Sequence, residues 1–234
     1  MGTALITALD VASAVQAWEM VDRIGPEVSW YKVGKQLFTM AGPQIVSGLK
    51  ERGKKVFLDL KYHDIPNTVA AAVRSAADIG ADIINVHASG GPTMLKAAAE
   101  AARERGATVI AVTVLTSLDV KELAAIGINV SPAEQVLRLV RLTQAAGLAG
   151  VVCSAQEITL VKGLCGPDFL TVVPGIRPAG AEHGDQKRVM TPGEAAQAGA
   201  SHIVVGRPIL AADDPAAAAR AINLELAAAA AIRR

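Results

Sequence analysis

The chain has 234 residues, a formal net charge of +1, 51% hydrophobic and 19% charged residues, and 3% aromatics. So little net charge gives no reason to expect nucleic acid or an anionic membrane as partner, and any anion has to be caught by a local site. No apolar run reaches about 18 residues without charge or turn residues, which argues against a membrane span, and with so few rings the core must be built from Ala, Val, Ile and Leu.

The first run, ALITALD (4–10), already reads as a strand, with no basic segment or secretory pattern ahead of it. The Met-Gly start is not a myristoylation signal, because Ile6 stands where Ser or Thr is wanted. Cys153 and Cys165 show no CxxC and no His at metal-ligand spacing, so both are expected as reduced thiols, Cys153 buried in a strand, in the cytoplasm.

Seven further apolar runs follow: WYKVG (30–34), KVFLDLK (55–61), IINVHA (83–88), TVIAVTVL (108–115), GVVCSA (150–155), LTVVPG (170–175) and HIVVGR (202–207). Between them lie Ala-, Glu-, Arg- and Leu-rich stretches with helical periodicity, for example residues 92–105 and 132–146, and the Ala-rich tail 215–232 reads as a terminal helix. Gly53, Gly80, Gly106, Gly147 and Gly199 stand where helices should end and turn into strands. Near-continuous apolar strands alternating with helices predict a parallel sheet. Eight units of about 29 residues fit a closed (β/α)8 TIM barrel, one domain over residues 1–234. An open doubly wound sheet is the alternative, but the first turn lacks a GxGxxG fingerprint.

In such a barrel the chemistry sits at the C-terminal ends of the strands. Those ends carry Asp10, Lys32, Asp59, Lys61, Asp64, Asn85, His87, Thr116-Ser117, Gly175-Ile176-Arg177 and Gly206-Arg207. Asp59 and Lys61, two apart on one strand, should both enter the barrel while Leu60 and Tyr62 face the helices. A buried ion pair is the bland reading. Adding Asp10, Lys32 and Asp64 makes an alternating Lys/Asp set, and buried charge is too costly to gather that way for stability alone. Residues 173–188, with Gln186, and the Gly206-Arg207-Pro208 turn lie after strands seven and eight, where barrels of this kind bind phosphate. His63 and His87 are expected in supporting or subunit-contact roles, since no carboxylate spacing makes them metal ligands.

The run Asp59-Leu60-Lys61-Tyr62-His63-Asp64-Ile65-Pro66-Asn67-Thr68 closely resembles the signature of the orotidine 5′-phosphate decarboxylases. The resemblance runs nearly end to end: Leu9-Asp10, KVGKQLFT (32–39), NVHASGG (85–91), VLTS (114–117), GVVCSAQE (150–157), PGIRP (174–178), GDQKRVMTP (184–192) and GRPI (206–209). Tyr62 stands where Phe is common.

The resemblance implies decarboxylation of orotidine 5′-phosphate to UMP and CO2, the last step of de novo UMP synthesis, with no metal and no organic cofactor. It makes Lys61 the proton donor to C6, puts Asp59 beside the departing carboxylate, and has Lys32 bond Asp59 and the ribose. Asp10 holds the ribose 3′-hydroxyl, and Ile65 joins the substrate-binding set. Asp64 and Thr68 reach the partner's site in a homodimer. Thr116 and Ser117 meet the pyrimidine edge, and Arg177, Gln186, Gly206 and Arg207 belong to the phosphate side. Two rivals remain: a Mg2+-dependent sugar-phosphate decarboxylase or aldolase sharing the Asp-x-Lys-x-x-Asp core, and a non-catalytic barrel that binds phosphorylated metabolites. The Ile65–Thr68 continuation and the intact loops argue against both.

Overall fold

The computed structural model describes residues 2–178 and 190–232. Eight parallel strands close on themselves: β1 (Ala4–Ala8), β2 (Trp30–Gly34), β3 (Lys55–Tyr62), β4 (Ile83–His87), β5 (Thr108–Val112), β6 (Gly150–Val152), β7 (Leu170–Val173) and β8 (His202–Val205). Each pairs with the next, and β8 returns to β1 through Leu5 opposite Ile203 and Ile6 opposite Val204. That closure excludes the open doubly wound sheet and establishes the (β/α)8 barrel.

Side-chain alternation along the strands sorts apolar residues into two layers. Ile6, Ala8, Phe57, Ile83, Ile110, Val172 and Val204 point inward and form an apolar plug in the barrel. Leu5, Tyr31, Val56, Leu58, Ile84, Val86 and Ile203 point outward into the larger core under the helices. Tyr62 packs on this outer layer as expected, so its phenol is directed away from the barrel interior.

Helices cover the outside. Gly91–Arg105, Pro132–Ala145 and Pro215–Ile232 lie where the periodicity put them. Gly106, at φ 67°, and Gly199, at φ 101°, end helices in the left-handed conformation that a side chain resists. Gly53, Gly80 and Gly147 also have positive φ.

All eight strands begin at the residue the sequence indicates. Most end earlier, and Cys153 lies just beyond β6 rather than within a strand, although it is buried. The ladder loosens at this end, where Thr113 N–H reaches Val152 O, and Cys153 N–H reaches Val172 O, at 3.3 Å each. The apolar runs continue past the ladder into the loops that shape the mouth. Among the described residues no helix is long and apolar enough to cross a membrane.

Candidate active site

A parallel barrel brings every strand's C-terminus to one mouth, and the polar strand ends converge there. Asp59 is 9% exposed and sits at the centre. Its Oδ1 accepts from Lys61 Nζ at 2.5 Å and from Asn85 Nδ2 at 2.7 Å, while its Oδ2 faces Lys32 Nζ at 3.5 Å. Lys32 Nζ also donates to Asp10 Oδ1 at 2.9 Å. The segment just after β1, with β2 and β3, thus forms one chain of charge, Asp10–Lys32–Asp59–Lys61, and β4 places the neutral Asn85 beside it. Burial opposes the charge on Asp59, but Lys32, Lys61 and the hydrogen bonds from Lys61 and Asn85 outweigh it and hold the carboxyl below its ordinary range. Asp59 is therefore an anion at neutral pH.

Lys61 and Asp59 do meet inside the barrel, but not by plain strand alternation. Lys61 has φ 54°, and among the described residues it alone combines a side chain with positive φ. The β3–β4 register explains this: Leu58 pairs with Ile84 and Tyr62 with Val86, so four residues of β3 advance against two of β4. The bulge re-aims a side chain, as bulges near active sites do. Asn85 Oδ1 accepts the Lys61 backbone N–H at 2.8 Å and so fills the place of a ladder carbonyl. Asn85 is fully buried, and the sequence marks it only as a polar residue of strand four. Its parity with inward-facing Ile83 was the available signal, because a buried amide inside a barrel needs partners.

Beside this chain lies a cavity of about 190 Å3, lined by Lys32, Asp59 and Lys61 on one side and by Phe57, Val112, Val152, Val172 and Val204 below. Thr116 lines it, whereas neighbouring Ser117 is exposed. A larger cavity of about 310 Å3 opens at the opposite end of the barrel, and Glu27 is the one charged residue in its lining. The smaller one holds the charged chain.

Arg177 and Arg207 mark another side of the mouth. Burial and then the charge of Arg207 lower the pKa of Arg177, so two guanidiniums stand close enough to repel, an arrangement that an anion would relieve. Gly206 lies against β1: a Cβ there would sit 3.5 Å from Ala8 Cβ and from Asp10 Oδ2. Arg177 N–H donates to Met190 O at 3.0 Å, holding together the two ends of the long loop. Gln186, and with it most of the GDQKRVMTP run, lies outside the described residues.

Asp64, Ile65 and Thr68 do not join the buried chain. All three are exposed, Ile65 by 67%, and the Asp64 carboxylate accepts from the Ile65 N–H at 2.6 Å. The His63 and His87 rings lie 5.5 Å apart, tilted by 37°, at the same rim. Burial and the nearby His63, Lys35 and Lys61 lower the His87 pKa, keeping that ring neutral. Among the described residues no group of three or more His, Cys, Asp or Glu gathers closely enough to hold a metal ion.

Fold and site together define a (β/α)8 barrel whose mouth gathers lysine and aspartate side chains in one chain of charge. The family model described as Orotidine 5′-phosphate decarboxylase / HUMPS family matches residues 3–222. A curated orotidine 5′-phosphate decarboxylase of Halorhodospira halophila is 56% identical over 227 residues, covering 96% of each chain. That of Moorella thermoacetica is 53% identical over 230 residues, covering 95% of this chain and 91% of its own. The crystal structure of orotidine 5′-phosphate decarboxylase from Lactobacillus acidophilus superposes with a TM-score of 0.86 at 38% identity, covering 96% of this chain and 99% of that one. The chain belongs to the orotidine 5′-phosphate decarboxylase / HUMPS family.

Proposed function

We propose that this barrel decarboxylates orotidine 5′-phosphate to UMP and CO2, closing de novo UMP synthesis, with Lys61 delivering the proton to C6. The observation that carries the reading is an ammonium and an ionised carboxylate, Lys61 and Asp59, held against each other with Lys32 at the edge of a largely apolar cavity. Loss of CO2 leaves negative charge on a carbon that the ring cannot delocalise well. A fixed cation aimed there stabilises charge that exists only in the transition state. Asp59 stands near the substrate carboxylate, where two such charges repel by about 4 kcal/mol at about 4 Å and an effective dielectric of about 20; departure of CO2 removes that repulsion. Lys32 and Asn85 keep Asp59 ionised while this happens.

Asp10 and Lys32 hold the ribose, and Thr116 with Ser117 meets the pyrimidine edge. Arg177, Arg207, Gly206 and Gln186 take the phosphate, whose binding energy offsets the strain at C6. Asp64, Ile65 and Thr68, exposed on one chain, complete the site of the partner in a homodimer. The enzyme is a single cytoplasmic domain over residues 1–234 that works without metal or organic cofactor.

The test is the fall in pyrimidine absorbance when orotidine 5′-phosphate is added, before and after exhaustive EDTA treatment. Full activity in both is expected. Activity lost to EDTA and restored by Mg2+ would assign the chain to the metal-dependent sugar-phosphate branch, and no turnover at all would leave a binding barrel.

A further inference from the structure

Asn85 touches both halves of the Lys61–Asp59 pair by different atoms. Its Oδ1 takes the Lys61 backbone N–H at 2.8 Å and its Nδ2 gives a hydrogen bond to Asp59 Oδ1 at 2.7 Å. The amide is fully buried in the middle of an apolar strand, between Ile84 and Val86. It sits opposite the bulge where β3 has more residues than β4 can pair, beside a lysine whose backbone is left-handed. A non-glycine residue keeps that conformation only when its surroundings over-determine it. Asn85 supplies the missing ladder acceptor. It also fixes the Asp59 carboxylate, since Oδ1 is shared by Lys61 and Asn85 while Oδ2 is left towards Lys32.

We propose that Asn85 is a positioning residue for the decarboxylation: its side-chain amide locks the β3 bulge and the Asp59 carboxylate together, and so holds the Lys61 ammonium on the reacting carbon. This rests on Lys61 being the proton donor. The amide never touches substrate and acts through its two neighbours. The amide accepts from one and donates to the other at once, at any pH and without carrying charge. Leu has neither capacity, and a carboxylate can accept but donates only when protonated.

Three full-length variants, each checked for folding by circular dichroism, test the inference against the wild type. Asn85→Ala should lose kcat on the order of 100-fold, the scale expected when a reacting group shifts by about 1 Å. Its affinity for UMP, which lacks the C6 carboxylate, should change little. Asn85→Asp has nearly the same shape and can still accept from the Lys61 N–H, but its second oxygen would meet Asp59 Oδ1. The two carboxyls would share one proton, as close carboxylate pairs do. The other charged or titratable groups around them are Lys61, Lys32, Asp10, His87 and Lys35. Protonated, the pair restores the Asn85 hydrogen bond. Deprotonated, it repels Asp59 and over-neutralises Lys61. The kcat of Asn85→Asp should therefore be highest at the acid end and fall as pH rises, along a limb absent from the wild type.

Unchanged kcat in Asn85→Ala overturns the proposal, as does UMP affinity that falls in step with kcat. So does an Asn85→Asp profile parallel to wild type, or inactivity of that folded variant at every pH. If Asn85→Ala does not fold, the Asn85→Asp profile decides alone. Lys61→Ala separates the two levels: normal turnover in that variant refutes the proton-donor reading itself. An inactive Lys61→Ala beside wild-type-like Asn85 variants refutes the Asn85 role only.

Discussion

His202 opens β8 at the end of the barrel away from the site, its ring edge-on to Trp30 at 5.3 Å and its Nδ1 buried with no hydrogen-bond partner among the described residues. Burial first, then the charges of Lys55 and Lys162, push its pKa down to about 4 from an ordinary 6.5. The sign follows from proton uptake: between pH 6.5 and 4 the unfolded chain binds a proton at this residue that the folded one refuses. Its contribution is therefore complete above pH 6.5 and is lost as pH falls through that window, by up to roughly 3 kcal/mol. In urea titrations the wild-type midpoint should drop between pH 7 and 4.5 by more than that of His202→Leu. Parallel curves would show that His202 is protonated in the fold. At this scale the sequence was a partial guide. Asp59 and Lys61 stood out because charges ending an apolar strand have no cheap structural use. The left-handed Lys61 and the role of Asn85 did not, because both depend on which residue of β4 pairs with which residue of β3, and no local pattern contains that register.

The strands show the same division between local and non-local information. Their starts were legible, because a polar residue (Thr3, Ser29, Lys54, Asp82 or Ser201) precedes five of the eight runs and the other three follow closely on a helix-ending Gly or Asp168. Their ends were not, since Leu9-Asp10, Cys153-Ser154, Pro174-Gly175 and Gly206-Arg207 carry the runs past the strands, even where Leu9 N–H still reaches Lys32 O and Cys153 N–H still reaches Val172 O. At β6, three residues long, the ladder depends on a single close approach. Gly150 pairs with Leu170, and a Cβ on Gly150 would stand 2.2 Å from the Leu170 carbonyl oxygen and 2.5 Å from its Cβ. Backbone cannot swing aside as a side-chain tip can, so Gly150→Ala has to part β6 from β7. Overpacking of this sort costs about 1–3 kcal/mol, and a closed barrel has no free edge to absorb it. The urea midpoint should fall accordingly with an unchanged slope. An unaltered midpoint would mean that the two strands separate freely.

For the whole molecule, the exposed Asp64, Ile65 and Thr68 are the parts of the signature that the single chain leaves unused. If Asp64 serves the partner's site while Lys61 serves its own, two damaged chains complement. In a mixed dimer of Lys61→Ala and Asp64→Ala chains, one site lacks both groups and the other is intact. Random assortment makes about half the dimers mixed, so roughly a quarter of wild-type activity per chain should return on co-expression. A sample shown to contain mixed dimers, yet no more active than the mean of the two homodimers, would refute the shared site. The apolar plug of Ile6, Phe57, Ile110 and Val172 bears on how such a chain evolves. It is an uncharged partition across the barrel, with Trp30 and His202 on one side and Asp59 with its lysines on the other, and well-separated sites change stability nearly additively. Mutations at the far end can then accumulate, or be repaired, without being felt at C6. A random library scored once for survival after heating and once for turnover should sort along the barrel axis, leaving half of the molecule free to drift towards new climates while the other half stands still.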